Sequence, residues 1–111
     1  MIVGVNLDGN LVGGGLGRAH AMAVADVQDG RIVSWKEDVV GWDVSHDEAS
    51  SHGAHHARIV TFMRENNVQA VVTGHIGPPM AHTLDLMGIA LVVGADGPAQ
   101  DAAIAAAAQL A

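Results

Sequence analysis

The sequence lacks cysteine altogether and has few aromatic and few basic residues. Without cysteine, the 111-residue chain can form no disulfide, no thiolate nucleophile and no cysteine-ligated zinc or iron–sulfur site. Five lysines and arginines against twelve acidic residues give a formal net charge of −7, which disfavours binding to the phosphate backbone of nucleic acid. Any metal must therefore be held by histidine, by carboxylate or by inorganic ligands that it brings with it.

The sequence also contains no long apolar run. The longest, residues 102–108, falls far short of the roughly 20 residues that a membrane-spanning helix needs. The apolar start of the chain has no basic segment before it and is interrupted at Asn6 and Asp8, unlike a secretory signal. We therefore expect a cytoplasmic protein that does not enter a membrane. Half of the residues are apolar and only 15% are charged, which predicts one compact domain over residues 1–111.

Apolar runs and glycine-rich turns alternate in an order that predicts an α/β fold. Strands are expected at residues 2–7, 20–27, 31–37, 69–73 and 89–93, with an Asp29-Gly30 hairpin turn between the second and the third. Helices are expected from a cap at Ser50 or Ser51 to about residue 66, from residue 78 to 88, and from residue 98 to the end. The glycine-rich residues 11–18 are expected to form a mobile loop.

The resulting order, βββαβαβα, predicts a five-stranded mixed sheet with three helices on its faces. Because parallel strands are joined by right-handed crossovers, the expected spatial order is 3-2-1-4-5, with only strand 2 antiparallel and strand 3 at an edge. This is the arrangement of ribonuclease H-like folds. Ligands of such sheets bind at the edge where the parallel strands have their carboxyl ends.

Seven histidines are the unusual feature of the composition. Six of them map to that carboxyl edge, and His82 lies close to it; the six are His20, His46, His52, His55, His56 and His75. In the first helix, the apolar stripe of residues 57, 59, 60 and 63 continues to His52 and His56, an i, i+4 pair that can share a metal. His75 is the best-placed third ligand, and His20 is the next.

A single buried histidine is more often a hydrogen-bonded core residue than a ligand, and His46, in an acidic loop, is expected in solvent. Several imidazoles at one edge favour a bound group, because without one they would repel each other when protonated. Arg18 and the glycines before it are suited to binding an anion. Residues 74–79 are also suited to binding an anion, because they present backbone amides at the start of a helix. The alternative interpretation is that the first stretch is an ordinary flexible connection and the second a tight strand–helix junction, with no ligand at either place.

Four stretches resemble the dinitrogenase iron–molybdenum cofactor-binding family, whose members carry or help to build nitrogenase cofactors. They are residues 2–9 (IVGVNLDG), 16–20 (LGRAH), 68–77 (VQAVVTGHIG) and 84–89 (LDLMGI), and the resemblance covers almost the whole chain. It implies a ribonuclease H-like fold that binds an iron–sulfur-based cofactor or its precursor. The family's glycine–arginine turn corresponds to Gly17 and Arg18, and its turn after the fourth strand to Gly74 and Gly77. The histidines at 52, 55 and 56 stand where relatives often have small residues.

Together, these features predict a small, non-catalytic carrier of a metal ion or of an iron–sulfur- or iron–molybdenum-type cofactor. The predicted metal ligands are His20, His52, His56 and His75. The predicted cofactor-binding residues are Gly15, Gly17, Arg18, Gly74 and Gly77. The participation of His46, His55 and His82 stays open, as do a donor or acceptor protein and a homodimer.

Two other classes of function are alternatives. A ribonuclease H-like, metal-dependent hydrolase needs several carboxylates at the carboxyl edge. Asp8 is suitably placed, but strand four ends in His75 and Asp26 falls at the wrong end of strand two. A metal-free interaction module would use an apolar patch around Trp35 and Trp42, for which packing of the long loop over the core is the other interpretation.

Overall fold

The computed structural model, which describes residues 1–44 and 52–111, is built on a six-stranded sheet. His46 and the predicted capping residues Ser50 and Ser51 lie outside the described residues. The strands are β1 (Ile2–Asp8), β2 (Leu11–Val12), β3 (Ala21–Gln28), β4 (Arg31–Val39), β5 (Ala70–Val72) and β6 (Ala90–Val92). The helices are α1 (His52–Glu65), α2 (Pro78–Leu86) and α3 (Ala99–Leu110), with a 3-10 helix (Leu16–Arg18) before β3. Residues 42–44 are also helical.

Five of the strands form a continuous path in the order β4-β3-β1-β5-β6. β3 runs antiparallel to β1 and to β4, whereas β5 is parallel to β1 and to β6. The predicted order, the reversed strand and the edge position of the third predicted strand are thereby confirmed. Asp29 and Gly30 have φ of 53° and 75°, as the predicted two-residue hairpin turn requires. The predicted number of five strands is wrong, because Leu11–Val12 pairs antiparallel with the end of β1.

The glycine-rich stretch, residues 11–18, is an ordered part of the fold and not the predicted mobile loop. It contains β2 and the 3-10 helix, and Gly15 forms an isolated bridge with His75. The N–H of Gly74 donates to the carbonyl oxygen of Gly13 at 3.0 Å, and the N–H of His75 donates to that of Gly14 at 2.7 Å. Glycines let the two backbones come this close, and the backbone bonds then hold the stretch in place.

The two faces of the sheet carry separate hydrophobic clusters. One face packs against α3, where small residues such as Ala103 and Ala106 meet the β-branched side chains of β1 and β5. The other face packs against α1 and α2, through residues that include Ile59, Met63 and Leu84. None of the helices that the structure describes is both long enough and apolar enough to cross a membrane.

The two tryptophans belong to these clusters. Trp42 is 3% exposed and meets Phe62 edge-to-face, with 5.4 Å between the ring centroids. Trp35 is half-buried against the α3 side of the sheet, and its indole N–H donates to a Glu37 carboxylate oxygen at 2.8 Å. Packing against the core therefore accounts for both rings, and the interpretation as an apolar partner patch is wrong for Trp42.

Candidate functional site

A cleft of about 530 Å³ opens at the carboxyl edge of the sheet. Its walls come from the 3-10 helix, the first turns of α1 and the turn that leads from β5 into α2. We call it the edge cleft. Its polar or backbone lining comes from Gly15, Gly17, Arg18, His55, His56, His75 and Gly77, and its apolar lining from Leu16, Ile59, Ile76, Pro79 and Met80.

Most of the predicted binding residues line the edge cleft. The predicted cofactor-binding residues that line it are Gly15, Gly17, Arg18 and Gly77. The predicted metal ligands that line it are His56 and His75. Gly74 lies just behind the lining and pairs with the glycine-rich stretch. A Cβ at Gly74 would be 3.0 Å from the carbonyl oxygen of Gly14. The structure therefore gives Gly74 a role in shaping the cleft.

The predicted metal ligands His20, His56 and His75 are not gathered at one point. His20 does not line the edge cleft; its side chain is 65% exposed, and its Nδ1 lies 3.2 Å from Asp43 Oδ2. His52 is the first residue of α1, and its side chain lies outside the part of the chain that the structure describes. Among the described side chains, no three or more histidine and acidic groups are arranged to hold a metal ion. His56 and His75 both line the edge cleft.

The buried face of α1 is shifted by one residue from the predicted stripe. Ile59 and Met63 are buried as expected, but Ala57 is exposed and His55, only 8% exposed, continues the buried face. Residues 55, 59 and 63 follow one another at intervals of four, which aligns them on one side of a helix. The prediction that His55 lies on the flank of the stripe is therefore wrong, because the helix turns His55 toward the core, while His56 is half-buried and contacts α2.

His55 and His56 each hold two parts of the cleft together. His55 Nε2 donates to the carbonyl oxygen of Gly17 at 2.7 Å, which fastens the 3-10 helix to α1. His56 Nε2 lies 2.9 Å from Thr83 Oγ1, which joins α1 to α2. The two contacts set the distances between the three segments that form the walls.

A buried polar network under the glycine-rich stretch was not predicted. Asn6 Nδ2 donates to Thr73 Oγ1 at 3.0 Å, and Thr73 Oγ1 donates to the carbonyl oxygen of Gly14, also at 3.0 Å. Asn6 is 1% exposed and Thr73 is fully buried. The signal in the sequence was an asparagine and a threonine near the ends of two apolar strands.

The edge cleft differs in charge from the rest of the molecule. Among the described lining residues, Arg18 is the one lysine or arginine, and none is an aspartate or glutamate, although the chain as a whole carries −7. The expectation of amide donors at the start of α2 is only partly met, because Pro78 and Pro79 have no N–H. The formal positive charge among the described lining residues is therefore that of Arg18.

A mixed α/β fold with a cleft of this kind at the carboxyl edge defines a ligand- or cofactor-binding protein. The chain belongs to the dinitrogenase iron-molybdenum cofactor family, whose model matches residues 1–110. This family membership indicates a cofactor-binding, carrier-type protein. The four sequence stretches that resemble the family predicted the same membership.

Solved structures share the fold at low sequence identity. The crystal structure of PH0822 has a TM-score of 0.77 at 19% identity, over 98% of this chain and 90% of that one. The apo form of the orange protein from Desulfovibrio gigas has a TM-score of 0.73, also at 19% identity, over 97% and 87% of the two chains. No curated protein matches this chain in sequence.

Proposed function

We propose that the protein is a non-catalytic carrier whose cargo is an anionic, metal-containing cofactor of the iron–sulfur or iron–molybdenum type, bound in the edge cleft. The charge of the lining supports this proposal most directly. Among the described residues, one arginine and three imidazoles line the cleft and no carboxylate does, and that set favours a negative ligand in an otherwise acidic chain.

The donor chemistry of the chain fits a cluster that carries its own sulfide. With no cysteine, the protein supplies no thiolate, and the cleft offers imidazole nitrogen and a guanidinium group instead. A volume of about 530 Å³ lies in the range of cofactor sites, roughly 300–1,000 Å³, and is far larger than a single ion needs. The apolar lining residues, Ile59 and Met80 among them, would exclude water from the bound cargo.

The alternative of a ribonuclease H-like hydrolase receives no support from the cleft. We infer from the strand order that the fold is of the ribonuclease H-like class, but the two-metal chemistry of such enzymes depends on clustered carboxylates. Asp8 and Asp96 are exposed, and neither lines the edge cleft. Carriage without catalysis is therefore the function that we propose.

A cluster-retention experiment tests this function. Protein made without a histidine tag is mixed anaerobically with a synthetic, thiolate-ligated [4Fe–4S] cluster and passed through a gel-filtration column, and iron and sulfide are measured in the protein fraction. We expect the wild type to retain the cluster and the Arg18→Ala/His75→Ala double variant to lose it. His82→Ala is the matched control, because His82 is exposed and lies outside the lining. A wild-type fraction free of iron and sulfide would overturn the proposal.

A further inference from the structure

The three imidazoles that line the edge cleft differ in what their ring nitrogens already do. His55 is buried, and its Nε2 lies 2.7 Å from the carbonyl oxygen of Gly17. A carbonyl oxygen can only accept a hydrogen bond, so Nε2 carries a proton and donates it. A protonated ring nitrogen has no lone pair for a metal. In this arrangement, Nε2 of His55 holds the 3-10 helix and does not bind a metal.

The same reasoning applies to His56, whose Nε2 contacts the hydroxyl group of Thr83. Thr83 Oγ1 lies 3.1 Å from the carbonyl oxygen of Pro79 and donates its single proton to it. The Thr83 oxygen therefore accepts the hydrogen bond from His56 Nε2 at 2.9 Å. That nitrogen of His56 is protonated as well, and it is occupied in joining α1 to α2.

His75 is in a different situation. Its backbone is fixed on both sides, because its N–H donates to the carbonyl oxygen of Gly14 at 2.7 Å and its own carbonyl oxygen accepts from the N–H of Leu16 at 2.9 Å. Its side chain is exposed and lines the edge cleft. In the part of the chain that the structure describes, the ring of His75 takes part in no hydrogen bond or ion pair. An imidazole on a fixed backbone, with its nitrogens open, is suited to act as a ligand.

We infer, on the basis of the proposed function, that His75 is the side chain that binds the cluster, because its ring is held by no contact among the described residues, whereas those of His55 and His56 are held through Nε2. His55 and His56 then act as positioning residues. One imidazole does not satisfy the coordination of a bare ion, which takes about four or more ligands, but it can anchor a cluster whose remaining ligands are its own sulfides. With His75 as the single protein ligand, the cleft would accept a preassembled anionic cluster and would not retain the metal alone.

Loading by this route is a ligand exchange with no change of oxidation state. The imidazole of His75 forms one iron–nitrogen bond through a ring lone pair. One iron–thiolate bond of the incoming cluster breaks, and the thiolate leaves with its electron pair and takes a proton from the buffer. Arg18, at the same cleft, offsets part of the negative charge that remains on the cluster.

The experiment counts the imidazole nitrogens that are coordinated to iron. Protein labelled with ¹⁵N-histidine is loaded with the synthetic [4Fe–4S] cluster and reduced with dithionite, and the nitrogen hyperfine couplings are measured by pulsed electron paramagnetic resonance. We expect the coupling of a single nitrogen in the wild type and its loss in His75→Ala. Because His75 is exposed, that variant should keep the wild-type circular dichroism spectrum. In parallel, ferrous iron alone should not be retained on gel filtration.

The positioning roles are tested by paired variants at His55 and His56. His55→Leu and His56→Leu should keep the single coupling, but lower the affinity for the cluster on the order of ten- to a hundredfold, the range for groups that orient a site without touching the metal. His55→Gln and His56→Gln retain an N–H donor and should restore most of the affinity. If a leucine variant does not fold, the cluster affinity and the nitrogen coupling of the corresponding glutamine variant are compared with those of the wild type.

The outcomes separate this inference from the proposed function. A wild type that retains no cluster overturns the carrier function and this inference with it. A wild type that retains the cluster with two or more coupled nitrogens, or with a coupling that survives His75→Ala, overturns the inference alone. Retention of ferrous iron without sulfide would also overturn it, because more than one protein side chain would then have to hold the ion.

Discussion

Thr73 joins three segments of the chain through one hydroxyl group. It accepts a hydrogen bond from Asn6 of β1 and donates to the carbonyl oxygen of Gly14, with the carbonyl oxygen of His75 also within 3.2 Å. All of this occurs where Thr73 and Asn6 are shielded from water. An amide left without a partner in such a place loses its hydration and gains nothing in return.

We therefore predict that Thr73→Val destabilises the protein. Valine keeps the shape of the side chain but leaves the Asn6 amide without its acceptor, and the expected loss is about 1–3 kcal/mol in the free energy of unfolding. Thr73→Ser is the control, since it keeps the hydroxyl and removes one methyl group, worth about 0.8 kcal/mol. Urea unfolding of the three proteins measures the difference. A valine variant as stable as the wild type would show that the network contributes nothing.

At the scale of elements, the edge cleft depends on the approach of the glycine-rich stretch to the turn between β5 and α2. Hydrogen bonds from Gly74 and His75 to Gly13 and Gly14, and from Leu16 back to His75, join the two segments at 2.7–3.0 Å. Such an approach leaves no room for a side chain at Gly74.

Gly74→Ala should separate these two segments. The added Cβ would lie 3.0 Å from the carbonyl oxygen of Gly14 and 3.1 Å from that of Gly13, so backbone has to move, at an expected cost of about 1–3 kcal/mol. Gly14→Ala is the matched control, because a Cβ there meets nothing within 4 Å, and its stability should stay within about 0.5 kcal/mol of the wild type. Thermal unfolding followed by circular dichroism compares them. Equal melting temperatures for the two variants would contradict the steric argument.

The order of the longer elements could be predicted from the sequence because it follows from local patterns. Continuous β-branched runs, an Asp-Gly turn and right-handed connections suffice to place five strands. Strand β2 could not be predicted, because two residues between glycines, Leu11 and Val12, carry no periodicity. The ordering of the glycine-rich stretch likewise comes from hydrogen bonds to residues about 60 positions away along the chain.

The location of the candidate site could be predicted from the sequence, but the contacts that each histidine makes there could not. The carboxyl edge and the lining residues Arg18, His56 and His75 followed from where the strands end. His55 is more buried than its predicted position on the flank of α1 implied, because an apolar stripe with few members does not fix the rotation of a helix. The partners of the rings, Gly17 and Thr83, lie on other segments, and no local pattern announces them.

At the scale of the whole molecule, charge is distributed unevenly. The chain carries −7, yet the described residues that line the edge cleft include an arginine and no carboxylate. A polyanion such as RNA would meet a repulsive surface around a cleft that suits a small anion. The molecule is thus suited to select its ligand by size as well as by charge.

We predict that the protein does not cleave nucleic acid. With magnesium, labelled RNA, DNA and an RNA–DNA hybrid should stay intact over hours, because the described residues at the carboxyl edge form neither a set of carboxylates that could hold metal nor a basic path for the backbone. Gel electrophoresis of the three substrates gives the result. Magnesium-dependent cleavage that disappears in Asp8→Asn would instead establish a hydrolase.

The frame of the edge cleft is made largely from main-chain atoms, since the glycine-rich stretch and the turn after β5 meet through backbone donors and acceptors. Peptide groups are the same whatever side chains accompany them. The side chains at lining positions such as 15 and 76 can therefore change without breaking the backbone hydrogen bonds that form the frame. The fold is shared with solved structures at 19% identity, which agrees with that freedom: the frame tolerates changes in the side chains that line the cleft.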